Sequence, residues 1–499
     1  MFELLPFGAG AWAVIFIYIG SLLLFGWYGY RSRTENTLND FYLAGSGFST
    51  LVLLLTLYAT QYSGNTFFAF IGMTYRVGFT WITSVYFMLA IIVFYLVYAL
   101  RLRTLSRRHG FITPVDYLSY RFGSDTLNLL AAIVMIVSLS NFLLAQLMAM
   151  GRAMQGMAGG DSGLAYTSGV IVLALIMVVY GTLGGLRAVA WTDAVQGTVL
   201  FIGFILLIST LVMKFGPLSV ATTGILDSPA SAKVMRPDAD SMRQWLSYIL
   251  LVGMGGALYP QAIQRIYASR SGKALRHSLA GMAILQVFAT LIAVIAGIYA
   301  IALIPGLEGV QADQALMRIF RLIQEDSLFG YWLVVILFAA IISAMMSTAD
   351  SALLTISSMV TKDVYGGYFH GNASQAELTR VGKLCSWALI VFLVWLAIML
   401  KDKASLISLI DRKFDILVQL APAFMLGIRW GKLQAGPVVL GLVTGLAVSL
   451  ALAFGPFDFV TGGKIWGFHP GLYGLFINLC IAVGGSLLLY KPGQQGSRH

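Results

Sequence analysis

The chain has 499 residues, of which 59% are hydrophobic and only 11% charged, with a mean hydropathy of +0.83. A soluble globular chain carries about 25% charged residues, which excludes a soluble enzyme, a nucleic-acid binder and a disordered scaffold. The net charge of +11 fits basic cytoplasmic loops, where membrane proteins concentrate Lys and Arg, better than a polyanion-binding surface.

A bilayer is crossed by roughly 20 apolar residues, and about thirteen such stretches recur along the chain. They cover 9–30, 48–74, 79–100, 126–150, 164–180, 190–213, 244–264, 278–304, 330–358, 383–400, 412–430, 435–455 and 468–490. The loops between them are too short for a domain of about 50 residues, so the reading is one all-α polytopic transmembrane domain. The first stretch follows Glu3 rather than a basic region and lacks a small-residue cleavage pattern, so it reads as a span and not a cleaved leader. Arg101, Arg103, Arg107, Arg108 and Arg121 crowd one loop, and Arg265 to His277 is similarly basic. That bias predicts an outside N-terminus and a cytoplasmic C-terminus. Cys385 and Cys480 lie in separate apolar stretches and the five histidines are scattered, so neither a disulfide framework nor a metal site of Cys and His is indicated.

Two spans read as interrupted. In the second stretch the apolar run breaks at Tyr58-Ala59-Thr60-Gln61-Tyr62-Ser63-Gly64-Asn65-Thr66; in the seventh, Gly253, Gly255 and Gly256 precede Tyr259-Pro260-Gln261. Glycine and proline weaken the helical ladder, and non-helical backbone at membrane depth survives only where it lines a cavity or is buried in protein. Broken helices at corresponding places in two halves point to the binding site of a secondary transporter. The alternative is a pair of kinked packing helices with small-residue interfaces.

Two intramembrane acids stand out. Asp193 follows Gly184-Gly185-Leu186 and Trp191-Thr192, near the predicted cytoplasmic start of the 190–213 span, where an acid also complements a helix dipole. Asp350 sits in Ala344-Met345-Met346-Ser347-Thr348-Ala349-Asp350-Ser351. There Ala344, Ser347, Thr348 and Ser351 share a helix face. Hydroxyl, carbonyl and carboxylate oxygens suit a hard cation such as sodium, although membrane Ser and Thr also bond back to their own helix.

These residues, with Phe111-Ile112-Thr113-Pro114-Val115-Asp116-Tyr117 and Ala421-Pro422-Ala423, resemble the sodium:solute symporter family, which includes sodium/proline, sodium/pantothenate and sodium/galactose symporters. The resemblance implies a leucine-transporter-type fold of two inverted five-helix repeats, 48–213 and 244–430, with an extra N-terminal helix at 9–30 and two C-terminal ones at 435–490. It also implies a main sodium site made by the carbonyls of Ala59, Tyr62 and Ala344 with the hydroxyls of Ser347 and Thr348. A second sodium, or its exit path, would involve Asp193, Ser347, Asp350 and Ser351.

Candidate solute ligands are Gln61, Asn65, Thr66, Thr80, Thr83, Asn141, Tyr259, Gln261, Gln286 and Gln419, each of which also serves as an interhelical hydrogen bond in the bland reading. The charged partners of the family's sugar site are replaced by Gln286, Gln261 and Thr80, which disfavours a sugar. The sodium/proline pattern is also imperfect, with Gln61 for an acid and Ser46 for an arginine. No Lys or Arg is evident at cavity positions. The expectation is sodium-coupled symport of an amino acid or a monocarboxylate such as a pantothenate-like acid, by alternating access and with lipid and solute as its partners. A solute sensor on the same fold is the alternative, against which the chain ends at Ser497-Arg498-His499 without an effector domain; a proton-coupled symporter is a variant. No nucleophile elbow or catalytic cluster favours an enzyme.

Overall fold

The computed structural model describes residues 7–31, 37–62, 64–157, 163–401, 406–460 and 463–490. Glu3, Ser63, Ser497–His499 and the side chains of Asn65 and Thr66 lie outside the described residues. The elements are α1 (Ala9–Arg31), α2 (Leu38–Leu43), α3 (Thr50–Gln61), α4 (Gly64–Val77), α5 (Thr83–His109), α6 (Pro114–Phe122), α7 (Asp125–Met157), α8 (Gly163–Phe215) and α9 (Leu218–Leu226). There follow α10 (Ala239–Ala257), α11 (Pro260–Ala268), α12 (Gly272–Leu303), α13 (Ala315–Gln324), α14 (Leu328–Met359), α15 (Gln375–Met399), α16 (Leu406–Leu417), α17 (Ala435–Phe454) and α18 (Pro470–Leu489). Among the described residues nine helical segments are long and apolar enough to cross a membrane, or ten if the bent pair α10–α11 counts as one span. The chain is an all-helical integral membrane protein.

Both expected interruptions are present. α3 ends at Gln61, and Tyr62 is extended at φ −97°, ψ 104°. α10 and α11 meet at a bend of 49°, with Pro260 at the first turn of α11, where its fixed φ suits a helix start and its missing N–H is not needed. The glycines before this bend serve close packing. A methyl at Gly255 would sit 2.8 Å from the Phe414 ring on α16, and one at Gly256 2.7 Å from Ile91 on α5. The third break joins what the sequence divides into two spans: α8 runs through both, interrupted at Gly185.

The bundle interior is formed by α14 packed on α7 and α8, with α3, α5, α10, α12 and α16 around them, while α17 and α18 pair with each other at the C-terminal end. The segment after α5 folds into α6, whose start is fixed by a capping box between Thr113 and Asp116. Thr113 donates to Asp363 at 2.8 Å and Lys362 pairs with Asp116, so this loop is anchored to the segment following α14.

Gly185 has φ +62° and ψ −160°, a conformation essentially reserved for glycine, and a Cβ there would lie 2.6 Å from the Phe41 carbonyl oxygen. Gly185→Ala should therefore cost roughly 1–3 kcal/mol and lower the thermal midpoint of the purified protein by several degrees. An unchanged midpoint would show that the break is not required by the packing of α2 on α8.

Candidate functional site

The last carbonyls of a helix have no partner within it, and at the end of α3 one of them finds α14. Thr348 Oγ1 lies 3.0 Å from the Ala59 carbonyl and 3.0 Å from the Ala344 carbonyl four residues back on its own helix. A hydroxyl has one proton to give, so only one of these two carbonyls can accept it at any moment. Three oxygens thus converge at the helix break, drawn from two helices. Tyr62 is buried and its hydroxyl donates to the Gln286 carbonyl at 2.8 Å and meets Thr290 on α12. Its side chain ties the end of α3 to α12, and its extended backbone leaves the helical ladder. Ser347 behaves differently: its hydroxyl is given to Asp193 Oδ1.

Asp193 is fully buried rather than at a cytoplasmic surface. Its Oδ2 accepts from Thr56 at 2.5 Å and from Arg265 Nη2 at 2.9 Å. Arg265 is also fully buried, in the middle of α11, and is not the loop charge its sequence position implies. Its remaining donors go to Ser351 Oγ at 2.5 Å, Thr56 Oγ1 at 2.7 Å and the Gln261 carbonyl at 3.1 Å. The guanidinium therefore lies against Asp193 and Ser351, two of the groups expected to hold a second sodium. Asp350 is not gathered with them. It is about 100° of helix away from Ser351 and faces α8, with its Oδ1 3.2 Å from where a Gly181 Cβ would be. It lines a small cleft with Thr182, Ser357 and Ser386, and neither of its buried oxygens has a hydrogen-bond partner.

A cavity partly open to solvent lies between α3, α5, α7, α10 and α16. Trp81, Phe142, Tyr248, Tyr259, Phe414 and Gln61 are among its lining. Gln61 is steadied by donating to the Tyr95 hydroxyl at 3.0 Å and the Gly256 carbonyl at 3.2 Å. Tyr259 stacks between Phe142 and Phe414, each at 5.6 Å between centroids. The other expected ligands fall elsewhere. Asn141 donates to the Leu409 carbonyl at 2.7 Å, and Gln419 to the Gly471 carbonyl on α18 at 2.8 Å. Gln261, Gln286 and Thr83 are buried with unpartnered side-chain atoms, off this lining; Thr80 is half-buried in the 3-10 turn Gly78–Ile82. The cavity does contain a basic side chain, contrary to the sequence reading: Lys413, on α16, is among its lining and only 2% exposed. The signal for it was a lysine at the start of the 412–430 apolar stretch, where a basic residue ordinarily marks a loop.

Removing one member of a buried ion pair leaves an uncompensated charge and costs about 3–5 kcal/mol. Asp193→Asn and Arg265→Met should each lower the thermal midpoint markedly, while the double variant loses less than the sum of the two. A strictly additive double variant would show that the pair carries no coupling.

The chain is similar to known proteins along nearly its whole length. It is 24% identical to the osmoregulated proline transporter OpuE of Bacillus subtilis, over 97% of this chain and 95% of that one. It is 25% identical to the sodium/proline symporter of Staphylococcus aureus, over 96% and 93%. Among solved structures, a sodium-coupled sialic acid symporter in a substrate-bound outward-open state superposes with a TM-score of 0.79 at 21% identity, over 99% of this chain and 100% of that one. The model of the sodium:solute symporter family matches residues 41–445, and the chain belongs to that family.

Proposed function

We propose that the protein is a secondary active transporter that couples sodium to the symport of a small organic solute, an amino acid or a monocarboxylate rather than a sugar. As a member of a symporter family it is a transporter and not an enzyme. The observation that carries the coupling is the meeting of Thr348 with the Ala59 and Ala344 carbonyls across the break in α3–α4. We place sodium there, as a transported ion, with the carbonyl of Tyr62 and the hydroxyl of Ser347 completing its oxygens after one rotamer change at Ser347. The similarity to proteins named for proline favours a solute that carries a carboxylate.

The proposed topology is two inverted repeats over 48–213 and 244–430, preceded by the helix at 9–30 and followed by two helices over 435–490, thirteen spans in all. The N-terminus lies outside and the C-terminus in the cytoplasm of a bacterium, the membrane being its plasma membrane. Sodium bound at the α3–α14 contact would hold the outward-open state, and its release inward would follow rocking of one repeat against the other. A single sodium per cycle is favoured, because the Arg265 guanidinium already supplies positive charge to Asp193 and contacts Ser351.

The test is thermal stabilisation of the purified chain by sodium, with choline as control, since a ligand of the native state raises stability by mass action. Thr348→Ala should raise the sodium concentration needed about tenfold, a loss of about 1.4 kcal/mol, and Ser347→Ala should raise it less. Equal stabilisation by sodium and choline, or no effect of Thr348→Ala, would remove the proposed site. It would move the coupling to a proton, for which the unpartnered carboxyl of Asp350 is the candidate.

A further inference from the structure

The cavity is lined by a lysine that, among the described residues, has no carboxylate in contact with its amine. Lys413 Nζ lies 3.6 Å from the Phe142 ring centroid, 4.7 Å from that of Phe414 and 4.8 Å from that of Tyr259. Among the described residues no carboxylate comes within 4.0 Å of it and no hydrogen bond leaves it. Of the neighbouring charges on α16, Asp411 lines the same cavity and keeps its buried Oδ1 without a hydrogen-bond partner. Arg412 pairs with Asp415 at 2.9 Å, and Asp411 Oδ2 is 3.4 Å from the Tyr248 hydroxyl and 3.7 Å from His469 Nε2.

Three aromatic rings attract an ammonium through their quadrupoles, which helps hold it in place. They do not supply the hydrogen-bond acceptors that its three N–H groups require. An ionisable side chain inside a membrane protein is expensive and is normally paired or functional. Here the three rings position the amine at the edge of a cavity whose remaining walls are largely apolar, among them Trp81, Phe87, Ile91 and Ile407.

We infer that Lys413 is the residue that receives the carboxylate of the transported solute, which is a small organic acid with an apolar body seated against the aromatic wall. This deepens the symport reading by naming the solute's class, and it rests on that reading for the claim that the cavity's ligand is cargo. A monocarboxylate and an amino acid share the recognised group. They differ at the second charge, because an amino acid's ammonium must sit near Lys413 and be offset by the Asp411 carboxylate, which lines the same cavity.

The experiment measures thermal stabilisation of the full-length chain by propionate, pyruvate, phenylacetate, L-proline, L-alanine and galactose, each in sodium and in choline. The variants are Lys413→Met, which keeps the stem and removes the charge, and Lys413→Arg, which keeps the charge. At least one carboxylate should bind the wild type, about ten- to hundredfold more weakly to Lys413→Met, with partial recovery in Lys413→Arg. Sodium alone should still stabilise Lys413→Met, since the Thr348 site is untouched. Loss of sodium dependence with the carboxylate effect intact would count against the symport reading and leave the assignment of Lys413 standing. The wild type provides a check that needs no variant: the amide of the best acid should bind at least about tenfold more weakly than the acid. An amide that binds equally well, a Lys413→Met protein that binds acids within threefold of wild type, or a response to galactose alone would overturn the assignment.

Discussion

The contact between Asp193 and Arg265 joins four helices. Asp193 comes from α8 and Arg265 from α11, and both reach Thr56 on α3, while α14 adds Ser347 to the acid and Ser351 to the guanidinium. In a low-dielectric interior the attraction between such charges only offsets the loss of their hydration when further hydrogen bonds complete them. That completion is what places α3 and α14 side by side, with Ala59 of one against Thr348 of the other. The fixed cation thus sets the geometry within which a mobile cation is proposed to bind, and it does so from an element, α11, that exists as a separate helix only because α10 breaks.

The breaks, in turn, are the source of the polar groups that make a binding region in an apolar bundle. A continuous helix presents no free carbonyl at membrane depth. Ending α3 at Gln61 frees the carbonyls of its last turn beside α14, and ending α10 before Pro260 brings Tyr259 to the cavity. The glycines of α10 let Phe414 approach, so α16 comes near enough for Lys413 to lie against Phe142 and Tyr259. One local feature therefore places both the aromatic wall and the amine it holds.

What could be read from the chain was what depends on short-range pattern. The apolar stretches, the two interruptions, and the placing of Ser347 and Ser351 on one face follow from residue type and helical spacing. The pairing of charges did not. Arg265 and Lys413 stand near the ends of apolar stretches, where a basic residue ordinarily marks a loop, and the partner that draws Arg265 inward is 72 residues away. The family resemblance put Asp350 and Asp193 in one site with Ser347 and Ser351. A rotation of about 100° along α14 is enough to turn Asp350 to Gly181 while Ser351 meets Arg265. Gln419 was legible as polar but not as a tie to α18, because its partner belongs to a helix that the repeat pattern leaves out.

The count of charges also bears on how far such a transporter can concentrate its cargo. One positive charge crossing 100 mV is worth about 2.3 kcal/mol, and a tenfold sodium gradient adds about 1.4 kcal/mol. A zwitterion carried with one sodium uses both, roughly 3.7 kcal/mol, enough for several-hundred-fold accumulation. A monocarboxylate carried with one sodium moves no net charge, so the membrane potential does no work and the sodium gradient alone sets a limit of about tenfold. Lys413 and Arg265 do not enter this count, because they stay with the protein and are the same at both ends of the cycle. A chain that keeps a resident guanidinium beside Asp193 and a resident amine in its cavity can therefore hold anionic groups in place without sodium ions to neutralise them. It forgoes the extra driving force that a second transported sodium would bring.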